Sequence, residues 1–148
     1  MIPLHLPAEF ARQIEREGAA AYPNECCGVM FGCDQGEPGG QTRRIVERIA
    51  PVENAFDEAE KFHRFSISPK QLMQAEKDAA AEGRLVLGFY HSHPDHPARP
   101  SEYDRQHAWP FYSYVIVAIA KREAVDMTSW LLDEQTETFS RQEIVEGK

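Results

Sequence analysis

Basic residues are in short supply: 16 Lys and Arg stand against 24 Asp and Glu, for a formal net charge of −8. A chain this acidic has no basic stripe to pair with phosphates, so nucleic acid is not expected as a partner. Long apolar runs are also missing. None approaches the roughly 20 residues that span a bilayer, and Met1 to Phe10 lacks the basic and apolar segments of a secretory signal. No membrane partner is expected. Cysteine is scarce, with three residues of which Cys26 and Cys27 are neighbours. Adjacent thiols rarely bridge each other, so the pattern suits reduced thiols and a cytoplasmic location rather than a disulfide framework. Cys26, Cys27 and Cys33 also lack the C-x-x-C spacing of a structural zinc cluster and read as strand cysteines facing a core. Internal repeats and long low-complexity segments are absent.

What remains is an ordinary globular composition, 42% apolar and 27% charged over 148 residues, which suits one domain over 1–148. Leu6, Phe10 and Ile14 recur every four residues and predict a first helix from about Pro7 to Ala21, stopped by Pro23. A short apolar strand over Glu25–Cys33 follows, then a turn through the glycines around Pro38 and a second strand over Ile45–Ile49. Pro51 to Phe65 reads as a long loop and a candidate binding element. Ser68-Pro69-Lys70-Gln71 combines an N-cap serine, proline at the first helical position and a capping-box glutamine. That helix buries Leu72, Ala75 and Ala79 and ends at Gly83. Leu85 to His93 is expected to be a central strand, with Leu85, Leu87 and Phe89 pointing one way and Val86 and Tyr90 the other. A short helix from Ser101 must end by Pro110. Strands over Tyr112–Ala120 and Val125–Leu132, joined by Lys121-Arg122-Glu123, and a weak strand around Phe139 complete the outline. The fold class is α/β in the mixed α+β sense: a mixed β-sheet flanked by helices.

The chemistry concentrates in His91-Ser92-His93-Pro94 and Ser101-Glu102-Tyr103-Asp104. Side chains alternate along a strand, so His91 and His93 project from one side at its C-terminal end and can share a cation. Pro94 ends the strand, and the returning loop brings Asp104 round in the first turn of the next helix as a possible third ligand. Two histidines and one carboxylate leave a fourth tetrahedral position open, as in catalytic zinc sites. Each part also has a plainer reading. The histidines could simply be packed, Ser101 with Asp104 fits a capping box, and Glu25 could be a polar residue at a strand entrance. His96, in a proline-rich loop, reads as solvated or substrate-contacting, and His107 as a surface or supporting residue.

The spacing His91-x-His93, seven residues, then Ser101-x-x-Asp104 resembles the H-x-H-x7-S-x-x-D motif of the JAMM (MPN+) metallopeptidases, and Glu25 in Asn24-Glu25-Cys26-Cys27-Gly28 resembles their upstream glutamate. The likeness runs in order over nearly the whole chain. It implies the MPN/JAMM (cytidine-deaminase-like) fold, a Zn2+ cofactor held by His91, His93 and Asp104, Glu25 as general base and Ser101 as hydrogen-bond donor to the oxyanion. Cys26 and Cys27 would then be neighbours of the base rather than nucleophiles. The compact chain is similar to the small prokaryotic members of that family. For these the resemblance implies a ubiquitin-like sulfur-carrier protein with a Gly-Gly tail as substrate, because glycine lets an extended backbone approach the metal with no side chain in the way. Two other readings stay open: a peptidase for another peptide or amide, and a non-catalytic scaffold.

Overall fold

Leu85 to Pro94, apolar on both sides, becomes the middle of a sheet. A computed structural model describes residues 2–36, 39–40, 42–54 and 67–147. Along the chain it contains β1 (Leu4–Pro7), α1 (Ala8–Ala21), β2 (Cys27–Gln35), β3 (Arg43–Val52), α2 (Pro69–Glu82), β4 (Leu85–Pro94), α3 (Glu102–His107), β5 (Ser113–Ala120), β6 (Glu123–Leu132), β7 (Phe139–Gln142) and β8 (Ile144–Gly147). One eight-stranded sheet runs β7-β6-β5-β4-β2-β3-β1-β8. Strand β4 pairs antiparallel with β2 and parallel with β5, so the sheet is mixed, as the element pattern implied.

The helices cover different parts of the core. Ala11 and Ile14 of α1 join Leu4, Leu6, Leu87, Tyr90, Val117 and Ile119, while Ala75 and Ala79 of α2 join Val29, Phe31, Val86 and Phe89. Burying each large aliphatic or aromatic side chain in such clusters contributes about 1.5–3 kcal/mol. Helix α2 has both ends that its sequence prescribes. Ser68 Oγ accepts from Gln71 N–H and the Gln71 side chain accepts from Ser68 N–H, while Gly83 closes the helix in the left-handed conformation at φ 71°.

Several expectations need correction. Residues Leu4–Pro7 form a strand, so Leu6 belongs to β1 and the helix starts at Ala8. With only two buried side chains, β1 is too short to show an alternation; its parallel pairing with β3 and β8 decides it. Strand β8 was not foreseen for the same reason. Strand β2 begins at Cys27, leaving Glu25 just ahead of it, and β3 extends to Val52. The β5–β6 turn is only Lys121-Arg122, at φ 50° and 71°, because two residues with positive φ suit the twist of a tight hairpin. Of the expected loop from Pro51 to Phe65, Pro51 and Val52 lie in β3 and Asn54 is buried; residues 55–66 lie outside the described residues.

The sidedness of β4 also differs. Leu87 packs with Tyr90 in the α1 cluster, and Val86 with Phe89 in the α2 cluster. Against β2, Met30 faces Gly88 but Phe31 faces Val86, so Leu87 is an extra residue and the alternation reverses there. Gly88 suits this place: a Cβ on it would lie 1.9 Å from the Ser113 carbonyl oxygen. Beyond the irregularity the alternation resumes, and His91 and His93 keep a common side.

Candidate metal centre

His91 and His93 are buried on the last turn of pleat of β4, at its C-terminal end. Their Nε2 atoms lie 3.1 Å apart, and Asp104 Oδ2 lies 3.3 Å from the first and 3.1 Å from the second. Four tetrahedral ligands about 2.0–2.1 Å from a zinc ion stand about 3.3–3.4 Å from one another. The observed triangle is therefore close to the size that a single cation would set. His93 Nδ1 donates to the Pro97 carbonyl at 2.9 Å. That bond fixes the tautomer in which a neutral His93 turns the Nε2 lone pair to the centre of the triangle. Two imidazole nitrogens and a carboxylate oxygen converging this way are a donor set that suits a metal ion.

Glu25 completes the corner. A carboxylate oxygen of Glu25 and the ring nitrogens of His91 and His93 all lie within 4.8 Å of one another. Glu25 is buried, and its backbone is tied in place: Asn54 Nδ2 donates to the Glu25 carbonyl at 3.3 Å. Next to it, Cys26 N–H donates to Ser92 Oγ at 2.9 Å and Ser92 N–H to the Cys26 carbonyl. Ser92 thus points away from its two histidine neighbours and clips their strand to the segment that bears Glu25. The sequence offered no sign of this beyond strand alternation, and none for Asn54.

The electrostatics follow from burial and close approach. Without a cation, burial pushes Glu25 up to about 8, with His93 opposing and Asp104 reinforcing the shift. Burial also raises Asp104, but His91 and His93 outweigh it and hold the carboxylate well below its ordinary range. Burial lowers His91; it lowers His93 too, but the Asp104 carboxylate and the Pro97 carbonyl outweigh it and leave His93 raised. A proton on His93 and a cation at the triangle would compete for the same lone pair.

Ser101 and Asp104 do form the capping box. Ser101 N–H donates to Asp104 Oδ2 at 2.9 Å, and Asp104 N–H donates to Ser101 Oγ at 3.0 Å. The two readings of Asp104 turn out to be compatible, since the oxygen that caps α3 is the one that faces both histidines. Ser101 is exposed, and its hydroxyl hydrogen has no acceptor among the described residues. His107 lies near the site, with its ring stacked on Tyr103 at 4.0 Å. His96 is exposed in the loop and lines a separate cleft. The three cysteines form no disulfide, and the metal-capable group found among the described residues contains none of them. Burial pushes the Cys26 thiol up to about 11, which suits a packed residue rather than a nucleophile.

A family profile described as "Prokaryotic homologs of the JAB domain" matches residues 7–133. A desampylase of Haloferax volcanii is 36% identical over 103 residues, covering 68% of this chain and 68% of that one. A Thermus thermophilus protein named "Probable TtuB-protein conjugate cleaving protease" is 38% identical over 113 residues, 76% of this chain and 68% of the other. Among solved structures, a protein from Desulfitobacterium hafniense superposes with a TM-score of 0.80 at 31% identity, covering 98% of this chain and 93% of its own. A JAB1/MPN domain protein from Archaeoglobus fulgidus gives 0.57 at 17% identity over 98% of this chain and 100% of its own, and so shares the fold. With the matched profile spanning most of its length and the architecture in common, this chain belongs to the prokaryotic homologues of the JAB domain.

Proposed function

We propose that this chain is a cytoplasmic zinc peptidase or isopeptidase, with His91, His93 and Asp104 as metal ligands, Glu25 as general base and Ser101 as oxyanion donor. The observation that carries the reading is the triangle of Nε2, Nε2 and Oδ2 atoms 3.1–3.3 Å apart with the Glu25 carboxylate beside it. When bound, zinc supplies Lewis acidity, polarising a carbonyl and letting water ionise near neutrality. Glu25 takes a proton from the attacking water and hands it to the leaving amine. The Ser101 hydroxyl, held by its bond from Asp104 N–H, donates its hydrogen to the oxyanion. The intact donor set favours an enzyme over a scaffold.

The substrate in this proposal is a ubiquitin-like sulfur-carrier protein, cut after its C-terminal Gly-Gly. The names of the two relatives, a desampylase and a protease for TtuB-protein conjugates, support that class. The test is to offer the zinc-loaded protein a sulfur carrier extended beyond Gly-Gly and to weigh the products. Release of the extension with a free Gly-Gly end is expected. An intact substrate, alongside cleavage of an unrelated peptide, would move the activity to another substrate class.

A further inference from the structure

We propose that the apolar cavity beside the triangle is the pocket for one large apolar side chain of the substrate's tail, on the acyl side of the scissile bond. This rests on the Gly-Gly peptidase reading above. The cavity measures ≈ 180 Å³; most of its lining is apolar or aromatic, including Phe89, Tyr103, Trp109, Tyr114, Ile116 and Phe139, with His91, Asp104 and His107 as the polar residues on its wall. Its size selects the occupant. An apolar cavity of about 150 Å³ holds a benzene ring, whereas sites for whole small-molecule ligands run to about 300–1,000 Å³. One ring-sized or leucine-sized group fits. The walls select its chemistry, because a charged or strongly polar group would lose its hydration against aromatic faces. The Tyr114 hydroxyl is already engaged, accepting from Trp109 N–H at 2.8 Å.

The direction follows from the groups around the reacting carbon. Glu25 has to reach both the attacking water and the leaving nitrogen, and Ser101 has to reach the oxyanion. The remaining substituent, the acyl Cα, therefore leads away from Glu25. The cavity borders Asp104 and His91, and neither Glu25 nor His93 is among the residues that line it. It lies on the acyl side. Glycines offer nothing to fill it, and two extended residues at about 3.3 Å each bring the first upstream side chain to roughly 7 Å from the scissile carbonyl. The pocket thus reads the one or two residues that precede Gly-Gly. Trp109 is 45% exposed, so its ring is both part of the wall and open to an arriving tail.

The experiment uses the zinc-loaded full chain carrying Glu25→Gln, to stop turnover, and Trp130→Phe, which leaves Trp109 as the one indole of the two in the chain. Synthetic peptides ending in Gly-Gly carry Leu, Phe, Ala or Asp at each of the two upstream positions. Leu or Phe at one of them should bind about tenfold or more tightly than Ala, the gain expected from burying one such side chain, and should shift Trp109 emission. The Ala and Asp peptides should leave the emission unchanged. Trp109→Ala, followed by calorimetry, should erase most of the preference. Phe139→Trp, on an edge strand, should do the same by filling the space, which keeps the test decisive if the first variant misfolds. Equal affinities with constant emission would overturn the pocket, as would a preference confined to residues beyond the scissile bond in substrates cut by the wild type. Wild-type cleavage of Gly-Gly substrates whatever precedes the glycines would remove the pocket and keep the peptidase. Failure to cut any such substrate would remove both.

Discussion

Helices α2 and α3 begin with the same device. Ser68 and Ser101 each accept from the backbone of the third helical residue, and Gln71 and Asp104 each reach back to the serine N–H. Their surroundings differ. The Gln71 side chain also donates to the Glu53 carbonyl at 2.8 Å and ends there. The Asp104 oxygen that closes its box also lies within 3.3 Å of two imidazole nitrogens. Local geometry alone cannot tell a cap from a ligand. The two boxes differ in the neighbours that the sheet delivers to the second, at the end of β4 and the entrance of β2, and the proposed ligand role of Asp104 rests on those neighbours.

Four experiments would break or sharpen that comparison. The largest contrast should come from the reaching-back residues. Asp104→Ala should remove most of the about one zinc per chain expected of a three-ligand site and abolish turnover. Gln71→Ala should cost only about 1 kcal/mol of stability and leave activity alone. Metal analysis with a melting curve separates the two outcomes. Full zinc occupancy in a His91→Ala/His93→Ala double variant would place the metal elsewhere.

Next in size is Glu25, whose carboxylate stands beside the two histidines. Glu25→Gln keeps the shape but cannot accept a proton, so turnover should fall by about a hundred- to ten-thousandfold while zinc content stays near that of the wild type. Substantial residual activity would put the base somewhere else.

The serines should differ less. Ser68→Ala should cost about 1 kcal/mol and nothing in rate. Ser101→Ala should lower turnover by about a hundredfold with a similar or smaller loss in stability, because α3 is one short helix. Equal turnover in the two variants would reduce Ser101 to a cap.

The remaining effect is one of pH. Burial raises Glu25 from 4.5 to about 8 without a cation, so the folded chain holds that proton more tightly than the unfolded chain. The corresponding stability is full below the ordinary carboxylate pKa and is lost as pH climbs toward 8. Chelator-treated protein should therefore melt progressively lower over that interval, and Glu25→Gln should flatten the decline. A parallel decline in the variant would assign the pH dependence to other groups.

Much of this was legible in the chain itself. Helix α2 was fully specified, since Ser68, Pro69, Gln71 and Gly83 are local signals that act through their own backbone. Strand β4 announced itself as central by being apolar on both sides, and the spacing of His91, His93 and Asp104 marked them as side chains that could meet, as they do. Strands β1 and β8 were not legible, because each carries too little pattern and exists through pairing with a distant segment. Nor was the reversal at Leu87, which needs β2 alongside to define an extra residue. The donor types and their order are thus properties of the sequence, because alternation and capping are short-range. Which of those donors meet was decided by tertiary structure. Asp104 comes within reach of β4, Ser92 and Asn54 hold the Glu25 segment, and aromatic side chains from β4, α3, β5 and β7 close round one cavity. Those meetings join residues far apart in the chain, and only the packed sheet with its helices supplies the distances between them.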